Sequence, residues 1–186
     1  MGAMEFDIRS ALPGDAMALA PLAEAAARET YAPIAQPAVY EAFISQTCTR
    51  EALAAVIARA TDDTQSLFAV AVERGALIGY LDFGQDDDGC LELRRLYAAV
   101  GSTSRGIGRA LLQWLEAQLP EGVEYRAIVH ARNHRALSFW VRHGFVIEGE
   151  LDTRQHLAAH RGLNFDEHAE AEPSLILRRV VDRAAS

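Results

Sequence analysis

A single α/β domain is predicted by three features of this chain. Its 186 residues are about one domain's length. Half of them are apolar and 24% are charged, the balance of an ordinary globular protein. Along the chain, segments rich in strand formers alternate with segments whose apolar residues recur at helical spacing.

Met1-Gly2-Ala3 before Met4 reads as an appended tag, so the domain is taken as residues 4–181. Alternation over Glu5-Phe6-Asp7-Ile8-Arg9 predicts a strand, broken at Pro13-Gly14-Asp15, with Asp15 as the N-cap of a helix. Leu19, Leu22, Ala23 and Ala26 share one face of that helix, which reaches about Tyr31. Beyond Pro33 and Pro37, a shorter apolar face holds Tyr40, Phe43 and Ile44, and Thr49 caps a helix carrying Leu53, Val56 and Ile57. Residues 66–72 and 76–83 are the strands of a hairpin turned by Glu73-Arg74-Gly75. Asp86-Asp87-Asp88-Gly89 predicts a solvated turn, because the terminal glutamate of a calcium loop is missing. Cys90 to Ala98 is the next strand. A helix from Arg105 presents Ile107, Leu111, Trp114 and Leu115 on one face and stops at Pro120. Tyr125 to His130 is a strand, a helix follows Asn133 and ends near Gly144, another strand starts there, and Ser174 to Val181 is the last. Residues 152–173 show no such pattern and are expected to be a long irregular loop.

A formal charge of −8 argues against a nucleic-acid partner or an anionic membrane surface and suits a cationic one. No apolar run is long enough for a membrane span and no signal peptide opens the chain, so a cytoplasmic location is the default. Cys48 and Cys90 sit in dissimilar segments and predict neither a disulfide nor a reactive thiol. His130 and His134 straddle a strand end and a helix start, and His156, His160 and His168 fall in the unassigned segment. No metal site is expected, and the last three are read as solvated.

The richest stretch is Leu91 to Leu112, a strand, a small-residue loop and a helix opening at Arg105-Gly106-Ile107-Gly108. A helix start carries backbone N–H groups without intrahelical partners, its dipole favours anions, and glycine allows close approach; phosphate fits there. Arg105 and Arg109 add positive charge. A P-loop is excluded because the chain has no lysine. A dinucleotide fingerprint fails because Leu111 stands where its third glycine belongs. The remaining pattern, a strand ending Leu96-Tyr97-Ala98 followed by Thr103-Ser104-Arg105-Gly106-Ile107-Gly108, resembles the acyl-CoA pyrophosphate loop of the GNAT (Gcn5-related) N-acetyltransferase superfamily. Asn133, Ala136, Phe139-Trp140 and Gly144-Phe145 resemble its second signature, one strand later. More faintly, Arg28 to Tyr31 and Phe43 to Leu53 look like its polyamine-acetylating branch.

This resemblance implies a single-domain α/β (α+β) GNAT fold with a central mixed, mostly antiparallel sheet of about seven strands flanked by helices. It implies acetyl transfer from acetyl-CoA, used as cosubstrate without a metal, to a primary amine of a small molecule or peptide; a homodimer is compatible with it. In that arrangement the central strand splays from its neighbour, so the amide of Leu96 faces the thioester oxygen and that of Ala98 the pantetheine arm. Coenzyme contacts are then expected from Leu96, Tyr97, Ala98, Thr103, Ser104, Arg105, Gly106, Ile107, Gly108, Arg109, Asn133, Phe139 and Trp140. Glu92, four residues before Leu96, stands where histone-type members carry a general base. It can equally be an exposed strand glutamate paired with Arg94 or Arg95.

Two positions depart from the family pattern. Thr103 replaces Arg or Gln, so one pyrophosphate contact is weaker or comes from Ser104 or Arg105. Trp140 replaces the tyrosine that serves as general acid, and an indole N–H does not give up its proton. Either water or another residue protonates the thiolate, with Tyr31, Tyr97 and Tyr125 as substitutes, or the chain is a non-catalytic acyl-CoA-binding regulatory module.

Overall fold

Strand β1 (Asp7–Ser10) leads through one 3₁₀ turn at Pro13–Asp15 into three helices, α1 (Ala16–Tyr31), α2 (Pro37–Thr47) and α3 (Arg50–Asp62). The hairpin β2 (Leu67–Glu73) and β3 (Ala76–Gln85) follows, then β4 (Leu91–Ala98), α4 (Ile107–Gln118), β5 (Glu124–His130) and α5 (His134–Arg142). The last elements are β6 (Val146–Asp152), α6 (Thr153–Arg161) and β7 (Pro173–Val180). The structure, a computed structural model, describes residues 6–182 except 64, 87, 103 and 166–170; the side chains of 160 and 161 also lie outside the description. One seven-stranded sheet runs β1-β2-β3-β4-β5-β7-β6, antiparallel at every pairing except β4 with β5. This is the mixed, helix-flanked sheet expected from the sequence.

Strand periodicity divides the core into two layers. On β2, Phe68 and Val70 face α1 and α3, where Leu19, Ala23, Ala27, Leu53 and Ile57 are buried. Ala69 and Ala71 face the opposite side, with Leu81, Phe83 and Leu93 under Ile107, Leu111 and Leu115 of α4. α4 packs closely on Gly79: an added Cβ would lie 2.7 Å from the Ile107 side chain and 2.9 Å from the Tyr97 carbonyl oxygen. Gly79→Val should therefore lower stability by about 1–3 kcal/mol in urea unfolding. An unchanged midpoint would show that α4 can retreat without cost.

Caps and turns explain most boundaries. Thr49 accepts from the Ala52 N–H at 3.2 Å and starts α3 as expected. Asp15 does not cap α1. Its carboxylate takes the Leu12 N–H and both guanidinium nitrogens of Arg9, closing the 3₁₀ turn instead. The Arg9 hydrogen bonds hold the Asp15 carboxyl below its usual range. Its contribution is thus present at neutral pH and lost as pH falls through the folded-state value.

Residues 152–173 are not one irregular loop. Asp152 accepts from the Arg154 N–H at 3.0 Å and starts α6, which ends at Gly162 with a left-handed φ of 61°. Asp and Gly at those two places are helix signals; the residues between are mostly polar and give little apolar periodicity.

Candidate active site

The site is built around a wedge between β4 and β5. These parallel strands share one paired position, Glu92 opposite Arg126, while β5 pairs along its whole length with β7 on its other side. A bulge contributes: Arg95 opposes Asp82 and Leu93 opposes Phe83, which leaves Arg94 as the extra β4 residue and bends the strand. Beyond Glu92, Leu96, Tyr97 and Ala98 lie along the open side of this wedge.

At one end of the wedge stands the start of α4. The loop before it holds Gly101, Ser104 and Gly106 in left-handed conformations, with φ of 77°, 76° and 80°. Glycine adopts this freely, whereas at Ser104 it costs about 1–3 kcal/mol. The first helical hydrogen bond runs from the Ala110 N–H to the Gly106 carbonyl, so the N–H groups of Ile107, Gly108 and Arg109 precede the ladder. An added Cβ at Gly108 would lie 3.5 Å from Phe139 and 4.0 Å from Leu96, so α4, α5 and β4 meet at this point. The Ile107 side chain is buried, which leaves its backbone for a ligand. Arg109 is exposed on a groove shared with Arg142 and His143. Arg105 is held by Glu73 of the β2–β3 hairpin. Thr103 lies outside the described residues.

Asn133 caps α5, accepting from the Ala136 N–H at 3.0 Å. Trp140 is buried with its ring centroid 5.0 Å from that of Phe139 and 4.8 Å from that of Phe145. It packs the core, as a large aromatic side chain does best. Tyr125 shares that core, and its hydroxyl donates to Glu116, away from the wedge.

On the opposite face of the sheet lies a cavity of about 60 Å³ lined by Tyr31, Phe43, Glu92, Arg94, His130 and His156 among others. Glu92 is 1% exposed, not an exposed strand residue, and Arg94 and Arg95 both turn to Asp82. Its partners include Arg126, whose Nε–H donates at 3.1 Å, and His156, whose Nε2 is 3.5 Å away. Arg126 also pairs with Asp86, so the aspartate turn is a turn as expected but the Asp86 side chain is largely covered and engaged. Asp87 falls outside the described residues. The Tyr31 and Tyr97 hydroxyls are 2.9 Å apart at the cavity's edge, and burial holds Tyr97 well above its usual range, hence neutral.

A second buried pair ties the surrounding segments together. The Arg132 N–H donates to His130 Nδ1, which requires the ring hydrogen on Nε2, and that nitrogen donates to Glu172 at 2.8 Å. The Gln36 N–H donates to the other Glu172 oxygen, and the Thr153 N–H donates to its carbonyl. The α1–α2 loop and the end of β5 thus converge on the Glu172 carboxylate, and the start of α6 on its backbone carbonyl. His156, read as solvated, is buried by this arrangement; His168 lies outside the described residues. Among the described residues, no group of three or more His, Cys, Asp or Glu could hold a metal ion. No helix among them is long and apolar enough to cross a membrane.

The sequence profile of the acetyltransferase (GNAT) family matches residues 25–145, which include the wedge, the α4 loop and α5. The chain belongs to this family. Among solved structures, the PaiA N-acetyltransferase of Thermoplasma acidophilum, in complex with coenzyme A, superposes with a TM-score of 0.72 at 26% identity, covering 95% of this chain and 99% of its own. The GNAT phosphinothricin acetyltransferase of Sinorhizobium meliloti, in complex with AcCoA, gives 0.67 at 18% identity, with coverage of 96% and 89%. YncA of Salmonella typhimurium, a putative acetyltransferase with acetyl-CoA, gives 0.68 at 18%, with coverage of 97% and 96%. No curated protein sequence matches the chain.

Proposed function

We propose that this GNAT acetyltransferase moves an acetyl group from acetyl-CoA to a primary amine of a small molecule, a polyamine among the candidates, or of a peptide. The carrying observation is the wedge, which places the open start of α4 and a buried carboxylate cavity on the two sides of one splayed strand. The family membership and the coenzyme seen in the Thermoplasma relative support the donor. When bound, acetyl-CoA supplies a thioester carbonyl carbon open to a nucleophile. The Ile107, Gly108 and Arg109 N–H groups hold the pyrophosphate, and the Leu96 N–H stabilises charge on the carbonyl oxygen. Ala98 orients the pantetheine arm through its backbone. Glu92 and its neighbours relieve the acceptor ammonium of the proton that blocks attack. The net charge of −8 favours a cationic acceptor.

The direct test is CoA thiol release from acetyl-CoA with polyamines, amino acids, aminoglycosides and peptide N-termini, with the acetylated product identified by mass spectrometry. Amine-stimulated release is expected; acetyl-CoA binding without transfer to any of them would reject the proposal. The donor site has its own test. A Cβ at residue 108 makes only ordinary contacts within the protein, so Gly108→Val should fold and obstruct the anion. Calorimetry should show CoA affinity lowered at least about tenfold, or about 1.4 kcal/mol. Unchanged affinity in the folded variant would place the pyrophosphate elsewhere.

A further inference from the structure

Resting on the acetyltransferase reading, we propose that His156 is a catalytic residue: with Glu92 it forms the dyad that takes the acceptor's proton, and the imidazole carries it. Both side chains line the same cavity, both are buried, and Glu92 Oε2 is 3.5 Å from His156 Nε2. That same oxygen already accepts the Arg126 Nε–H. A guanidinium in this position favours the ionised carboxylate, so Glu92 is suited to stabilise an imidazolium rather than to keep the proton. Imidazole is the side chain whose ordinary titration lies nearest neutrality, which is what a general base needs.

The step balances. Glu92 Oε2 takes one proton from the ammonium and passes it to the lone pair of His156 Nε2 beside it, which leaves a carboxylate–imidazolium pair. The freed amine lone pair forms the N–C bond, and the C–S bond breaks with its electron pair on sulfur. The thiolate takes the second nitrogen proton, and His156 returns the first to solvent.

Every element around the ring contributes a group to this titration. Tyr31 of α1 and Tyr40 of α2 line the cavity, β4 adds Glu92 and Arg94, and β5 adds His130, with Arg126 behind Glu92. Glu172, ahead of β7, is engaged by His130, and on α6 itself Arg154 pairs with Asp152. A dyad already protonated at low pH cannot accept, so kcat/KM rises as pH climbs through it.

The test compares wild type, His156→Gln and His156→Ala with acetyl-CoA and two probe amines. Propylamine is mostly ammonium at neutral pH; trifluoroethylamine is mostly neutral. His156→Gln should bind acetyl-CoA normally, lose roughly a hundredfold in kcat/KM with propylamine and far less with trifluoroethylamine. It should also lose the wild type's rise of kcat/KM with pH, and added imidazole should restore His156→Ala. Equal losses with both amines, or no loss, together with no imidazole rescue, would overturn the dyad while leaving the acetyltransferase reading intact. A wild type that acetylates no amine would overturn both.

Discussion

Asp82→Ala should remove about 3–5 kcal/mol of folding stability, the usual cost of leaving a buried charge without its partner. Asp82 is 2% exposed and accepts from Arg94 at 2.6 and 3.0 Å, while the Arg95 Nε lies 3.8 Å from its second oxygen. Arg95 is itself buried, donates to the Thr47 carbonyl and sits over the Phe43 ring at 5.9 Å. Deleting the carboxylate leaves two guanidinium groups beside the bulge that bends β4, with one acceptor fewer between them. Urea unfolding should show a lower midpoint at unchanged slope. Because Arg94 lines the cavity, turnover should fall as well. A loss below about 1 kcal/mol would mean that water reaches these charges and that the bulge does not depend on them.

Glu92→Gln should lower kcat/KM by roughly a hundredfold at neutral pH without weakening acetyl-CoA binding. The amide oxygen can still accept from Arg126, and Asp86 still pairs with that guanidinium, so the local packing is retained. What disappears is the negative charge beside the imidazole. The loss should shrink at high pH, where solvent already supplies neutral amine. Full activity at neutral pH would move proton removal to another group, and a loss equal at every pH would reduce Glu92 to holding the acceptor in place.

Backbone chemistry was the legible part of this site. Gly106 and Gly108 mark the turn into α4 directly, because no other residues serve as well where a helix start must lie open. The β2–β3 hairpin followed from two segments rich in strand formers and one short turn; the strand order did not. Glu92 is a candidate through the family resemblance, which places a base four residues before Leu96, but its burial and its pairing with Arg126 depend on β5, thirty-four positions away. Asn133 stood out by the family signature; in the structure its side chain caps α5. Trp140 departs from the family's tyrosine, and its packing against Phe139 and Phe145 shows only with the tertiary structure. His156 reads as solvated in the sequence and is buried in the structure. Its helix is short and polar, so hydrophobic periodicity could not reveal it, although Asp152 and Gly162 marked both of its ends.

In this mechanism acceptor and donor meet across the wedge from opposite faces of β4. A crystal structure with an analogue joining the sulfur of CoA to the nitrogen of propylamine through the acetyl unit tests this most directly. The pyrophosphate should lie against the N–H groups of Ile107, Gly108 and Arg109, with the analogue's nitrogen in the cavity within hydrogen-bond reach of His156 or Glu92. A nitrogen bound on the α4 face of the sheet, or a pyrophosphate away from the start of α4, would contradict it.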